Sequence, residues 1–262
     1  MRGGIDMGDT RRLNSLKSNP LWKAASRVKW SSLHKYHRLR SGLHARGLLP
    51  WTPLVPEEAF LDSCRNILDT LDRRAHDFGD YVEFGVSRGT SMASMNTALE
   101  DTGHEDVRLI GFDSFAGMPP GSDAEGWEPG WFRSTRGATC RYLKSRGVNL
   151  GKTELVEGWF DETLTDDTAE SVALEKASVI MIDCDIYSSS KAALWFVAPF
   201  IRDEAVLIFD DWGWRSKDDL IGQREAYSEF LEAFPDIREV ERYDAYIPEA
   251  RIILVERAAT EF

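Results

Sequence analysis

Cysteine is scarce in this chain: three in 262 residues, Cys64, Cys140 and Cys184. An odd number, without the spacing of a zinc or thiol-redox motif, argues against a disulfide-stapled scaffold and suits a reducing cytoplasm. Long apolar runs are missing as well. No segment approaches the eighteen or so apolar residues of a membrane span. The amino-terminal MRGGIDMGDTRRLNSLKSNP lacks the apolar stretch of a signal peptide, so the expectation is a cytoplasmic protein with no membrane span. Internal repeats and low-complexity tracts are absent too.

Positive charge is almost confined to one end. Residues 1–50 hold eleven Lys or Arg against Asp6 and Asp9, a balance of +9, and the whole chain carries −12, which leaves −21 (−12 − 9) for residues 51–262. A nucleic-acid enzyme would surround its site with positive charge, so no nucleic-acid partner is expected. The basic stretch KAASRVKWSSLHKYHRLR, residues 23–40, has the apolar periodicity of a loosely amphipathic helix. One reading packs it on the acidic body or on a second subunit. Another uses it to attract an anionic substrate or membrane surface. Two regions follow: a basic helical arm over 1–50 and one α/β domain over 51–262, joined at the proline-rich PWTPLVPEE. Their opposite charges predict a homodimer or higher homo-oligomer.

Enough apolar residues are present, 42% of the chain, to build a real core. Over Glu57 to Arg74, helical spacing puts Phe60, Cys64, Ile67, Leu68 and Leu71 on one stripe. Strand patterns follow at 80–86, 107–113, 153–160, 177–185 and 205–211, with helical patterns at 90–101, 189–201 and 221–234. The last two strand patterns, 237–246 and 250–258, are too close to enclose a helix and predict an antiparallel hairpin. The sum is a seven-stranded, mostly parallel sheet with helices on both faces. Such sheets bind ligands outside the carboxyl ends of their strands, near the point where strand order reverses.

Those ends carry the chemistry. EFGVSRGTS, residues 83–91, follows the first strand, where Gly85 and Gly89 permit a tight turn close to a ligand. It is not the dinucleotide fingerprint, which would need glycine at Ser87 and Thr90. Asp113 ends the second strand, where a carboxylate can accept both hydroxyls of a ribose. Glu157, Gly158, Trp159 and Phe160 after the third offer backbone and apolar surface to an adenine ring. An acid before the glycine turn, an acid after the second strand and a terminal hairpin point to S-adenosylmethionine rather than NAD.

VEFGVSRGTS, GFDSFAGMPP, ELVEGWFDETL, MIDCDIYSSSKAAL and LIFDDWGW occur in order and at spacings that resemble the macrocin O-methyltransferase family, over residues 54–257. The resemblance implies a Rossmann-like class I methyltransferase fold that uses S-adenosylmethionine to methylate a sugar hydroxyl of a natural product. It places cofactor contacts on Glu83, Gly85, Gly89, Asp113, Ser114 and Trp159.

The fourth and fifth strands both finish in acid pairs, Asp183 with Asp185 and Asp210 with Asp211. Apposed carboxylates repel unless a positive charge sits between them. Their oxygens are hard ligands suited to Mg²⁺ or Ca²⁺ and not to zinc. Asp183, Asp210 and Asp211 are the candidate ligands, with Asp185 the alternative or a helix-capping group. Strand alternation, if it continued that far, would put Asp183 and Asp185 on one face with Cys184 turned away. The resemblance likewise implies Mg²⁺ at these aspartates. Methyl transfer is then an in-line displacement in which the ion acidifies the acceptor hydroxyl and Asp183 takes its proton. A histidine base would require His34, His37 or His44 of the arm to fold over the site. Residues 116–139 lack periodicity and read as a substrate lid carrying Trp127, Trp131 and Phe132. The acceptor is a small molecule with a hydroxyl group, on a sugar or alternatively on a phenol or catechol; a scaffold that only binds cofactor is the third reading.

Overall fold

The computed structural model describes residue 43 and residues 55–74, 76–213 and 221–258. The basic arm, its predicted helix over 23–40 and its part in assembly lie outside the described residues. Among the described residues no helix is long and apolar enough to cross a membrane.

Helix α1 (Glu57–Arg73) buries the stripe predicted for it, Phe60, Cys64, Ile67, Leu68 and Leu71. Strands β1 (Asp80–Phe84), β2 (Leu109–Asp113), β3 (Thr153–Glu157), β4 (Ala177–Ile182), β5 (Glu204–Phe209), β6 (Ile237–Tyr243) and β7 (Arg251–Arg257) form one sheet in the order β3-β2-β1-β4-β5-β7-β6. All neighbours are parallel except β7, which runs antiparallel to both β5 and β6. The remaining helices are α2 (Thr90–Asp101), α3 (Arg136–Ser145), α4 (Phe160–Thr163), α5 (Asp166–Ser171), α6 (Tyr187–Val197) and α7 (Gln223–Ala233).

Because side chains alternate across a strand, the central strands serve two cores. Tyr81, Val179, Met181, Val206 and Ile208 meet α1, α2 and α3 on one face. Val82, Phe84, Ile180, Ile182, Leu207 and Phe209 meet α6 and α7 on the other. Covered on both sides, β1 and β4 are buried at every position, which explains their near-continuous apolar sequences. The strand order reverses between β1 and β4, so the ends of β1, β2, β4 and β5 come together there.

Several expected boundaries differ. β4 stops at Ile182 rather than 185, and Asp185 adopts a left-handed backbone with φ 60°. Strand alternation therefore does not account for the placement of Asp183 and Asp185; Cys184 between them borders the cavity but packs in the core cluster, its Sγ 3.7 Å from Ser190 Oγ of α6. β3 stops at Glu157, and Trp159 caps α4. The helix expected over 189–201 begins at Tyr187 and ends at Val197, where Pro199 tightens the chain into a 3₁₀ turn. Helix α3 takes the end of the segment read as a loop. Its cap, Thr135, accepts a hydrogen bond from the Ala138 amide, a signal present in the sequence.

Candidate active site

The turn after β1 presses on the end of β4. Gly85 has φ +97°, and a Cβ placed on it would lie 1.7 Å from the Asp183 carbonyl oxygen. A single atom of side chain would therefore separate the two strand ends. Asp113 shapes the next wall: its carboxylate accepts from the Ser87 amide at 2.6 Å and the Phe115 amide at 2.5 Å. Burial pushes this carboxyl up, and the bond from Ser87 opposes the shift. These bonds leave lone pairs on the carboxylate for a ligand's hydroxyls.

A cavity of about 690 Å³ opens over these turns, lined by Gly85, Ser87, Asp113, Ser114, Trp159, Phe160 and all four strand-end acids. Of the six residues expected at the cofactor, Gly85, Asp113, Ser114 and Trp159 stand on its wall. The other two stand behind it. Glu83 is fully buried and accepts hydrogen bonds from Tyr81 Oη at 2.7 Å and Ser91 Oγ at 2.5 Å. Burial raises its carboxyl to about 7 against those bonds. Its position thus fixes the first turn of α2 under the glycine turn. A Cβ on Gly89 would meet Leu143 and Thr139 side chains, and Gly89 is not part of the cavity lining.

Asp183, Asp210 and Asp211 each offer an oxygen, and the three oxygens lie within 4.8 Å of one another. Ligand oxygens in an octahedral shell of about 2.1 Å radius are themselves separated by roughly 3 to 4 Å. Burial first, then the charges of Asp210, Asp185 and Asp211, hold the Asp183 carboxyl well above the usual range. Burial and Asp210 raise Asp211 to about 7, opposed by a hydrogen bond with Asp185. No lysine or arginine lines the cavity among the described residues. Asp211 Oδ2 is buried without a hydrogen-bond partner. An uncompensated, converging oxygen set of this kind fits a hard divalent cation.

Two residues that hold this cluster escaped the sequence reading. Buried Gln223 donates to the Ile182 carbonyl and accepts from the Asp211 amide, both at 3.0 Å, so it spans the ends of β4 and β5. Tyr246, on the β6–β7 connection, donates a short hydrogen bond to Asp210 Oδ1 and packs edge-on against Phe60. Neither carries a local motif; only the tertiary fold brings them to the acids.

The segment 116–135, expected to form a lid, is folded and supplies part of the cavity wall through Met118, Pro119, Pro120, Trp127 and Phe132. Met118 and Trp131 are tied by a backbone bond of 2.9 Å. Trp127, Trp131 and Phe132 form an edge-to-face trio that packs with Met118 on Ile186. Trp127 and Phe132 line the cavity, while Trp131 does not. On the far side of Asp185 and Asp211 lies a second cavity of about 310 Å³, which also contacts Glu125, Tyr187 and Glu225. His76 is hydrogen-bonded to Ser178 and His104 to Asp72, and neither lines the large cavity. The three histidines of the arm lie outside the described residues.

Comparison with known proteins identifies the family and the fold. The macrocin-O-methyltransferase (TylF) family model matches residues 58–232. The 8-demethyl-8-(2,3-dimethoxy-alpha-L-rhamnosyl)-tetracenomycin-C 4'-O-methyltransferase of Streptomyces olivaceus is 30% identical over 143 residues, which cover 51% of this chain and 53% of that protein. The match thus spans about half the length of that relative. Among solved structures, the O-methyltransferase NovP superposes with a TM-score of 0.61 at 18% identity, over 84% of this chain and 88% of that one. The calicheamicin methyltransferase CalS11 gives 0.56 at 17% identity, over 97% and 98% of the two chains. At those identities the structures speak for the fold alone: a Rossmann-like class I methyltransferase sheet ending in an antiparallel hairpin. With the family model covering well over half of its length, the chain belongs to the macrocin O-methyltransferase family.

Proposed function

We propose that the protein is an S-adenosylmethionine-dependent O-methyltransferase that methylates a sugar hydroxyl of a secondary metabolite, assisted by a divalent cation, Mg²⁺, held at Asp183, Asp210 and Asp211. One observation carries the reading: the glycine turn, the ribose-type acid Asp113 and the converging carboxylates open into a single cavity. The family and the rhamnosyl relative support a sugar acceptor.

S-adenosylmethionine brings a methyl group on a sulfonium, whose departure as a neutral thioether needs no help. Held by Asp183, Asp210 and Asp211, a divalent cation would supply positive charge that lowers the pKa of an adjacent acceptor hydroxyl. The chain does the rest. Asp113 and Ser114 would hold the ribose, and Trp159 and Phe160 would offer apolar surface to the adenine. The lid excludes water and aligns the acceptor. Asp183 receives the hydroxyl proton.

A second reading gives the proton to Asp185. Its left-handed backbone is a conformation that costs energy and persists where the surroundings demand it. It stands outside the three-oxygen set and on the wall between the two cavities. A phenolic or catechol acceptor would also use a cation beside a carboxylate. A cofactor-binding scaffold has no use for the four apposed acids.

S-adenosylhomocysteine is expected to bind wild type with a micromolar Kd, about −8 kcal/mol. Asp113→Ala should weaken it at least about tenfold, the effect of losing charge-assisted hydrogen bonds. Calorimetry showing no binding to wild type, or equal affinity in both proteins, would remove the cofactor from this account.

A further inference from the structure

Ser87 occupies the point in the glycine turn where a dinucleotide-binding loop carries glycine, and it does so at φ 45°. A serine there is strained where glycine would be relaxed. Its polar groups face three ways. The amide donates to Asp113 Oδ2 at 2.6 Å, the hydroxyl donates to the Phe132 carbonyl at 2.8 Å, and the carbonyl accepts from Thr139 Oγ1 at 2.5 Å. The first partner is the acid expected to hold the cofactor ribose. The second is the closing end of the lid, one residue beyond the backbone bond between Met118 and Trp131. The third is the helix that follows the lid. Ser87 is thus one junction between the cofactor side of the cavity and its roof, and Met118 and Phe132 form part of that roof.

We infer that Ser87 is a positioning residue that tethers the lid to the cofactor turn, so that cofactor binding orders the lid through the bonds linking Asp113, Ser87 and Phe132. The strain is retained because glycine, relaxed at this backbone angle, has no hydroxyl to hold Phe132. A ligand bridging Asp113 and the turn restricts the Ser87 amide, and with it the hydroxyl that holds the lid. The direction of the effect from ligand to lid rests on the cofactor reading above; the tether itself does not.

The test compares wild type with Ser87→Gly by hydrogen exchange over residues 116–134, with and without S-adenosylhomocysteine, alongside thermal melting and calorimetry. Glycine relieves the strained angle, so the melting temperature should hold or rise. Lid amides should nevertheless exchange about fivefold faster without ligand, the factor for one net hydrogen bond. S-adenosylhomocysteine should slow lid exchange in wild type and leave it nearly unchanged in the variant. Equal lid exchange in the two ligand-free proteins would overturn the tether. So would faster exchange spread over the whole domain with a lowered melting temperature, which marks a general structural role. If S-adenosylhomocysteine fails to bind wild type, the cofactor reading falls, and the ligand-free comparison still decides whether Ser87 holds the lid.

Discussion

Asp183→Asn is expected to lower kcat at least about a hundredfold, the usual cost of a lost general base, while S-adenosylhomocysteine affinity stays near that of wild type. The substitution preserves shape at a group that is both proposed ligand and proposed base. Its side chain belongs to the acid cluster, and the ribose end of the cavity is formed by other residues. EDTA should abolish turnover and added Mg²⁺ restore it. Asp210→Asn and Asp211→Asn should also be slow, with partial recovery at high Mg²⁺, because coordination alone is assigned to them. Asp185→Asn separates the two readings of the base. If Asp185 takes the proton, its amide variant is slow at every Mg²⁺ concentration and still binds the ion. If Asp183 does, Asp185→Asn keeps most of its rate. Full activity in EDTA, or an Asp183→Asn enzyme at wild-type speed, would reduce the cluster to polar strand ends.

Gly85→Ala should destabilise the fold by about 3 kcal/mol or more, through left-handed strain and a backbone collision together. The added Cβ would stand 1.7 Å from the Asp183 carbonyl oxygen, where the backbones just past the ends of the adjacent strands β1 and β4 meet. Gly103 supplies the control. Its φ of +81° is similarly left-handed, yet nothing lies within 4 Å of an added Cβ. Gly103→Ala should therefore cost only the conformational part, about 1 kcal/mol. Urea titration of the two variants isolates the collision. Equal losses would mean that β1 and β4 do not meet as closely as described, and the placement of Asp183 beside the glycine turn would fall with them.

What the sequence could reveal was decided by how local each cause is. The parallel sheet, its closing hairpin and the stripe of α1 follow from periodicity, which a single strand or helix carries by itself. The acid pairs were visible because they terminate apolar runs. The position of Asp185 was not, since a left-handed residue just past a strand end is imposed by its surroundings and breaks the alternation that would otherwise predict it. Glu83 looked like a ligand contact because it precedes the glycine turn. It shares a face of β1 with Tyr81, the face that α2 covers, and its bonds from Tyr81 and Ser91 hold it there. The lid showed as a run of glycine, proline and aromatics, but its folded form depends on bonds across ten residues and more, such as Met118 to Trp131. Gln223 and Tyr246 reach the acids from elements far along the chain, and no spacing rule connects them.

The central claim is methyl transfer to a sugar hydroxyl in this cavity. Its most direct test is incubation of the purified protein with methyl-labelled S-adenosylmethionine and Mg²⁺ against a panel of natural-product rhamnosides and related glycosides, set beside phenols and catechols. Label is expected on a glycoside as a sugar methyl ether, lost when EDTA is added and at least about a hundredfold slower to appear with Asp183→Asn. Label on the phenols alone, or no transfer to any hydroxyl by a protein that binds S-adenosylhomocysteine well, would contradict it.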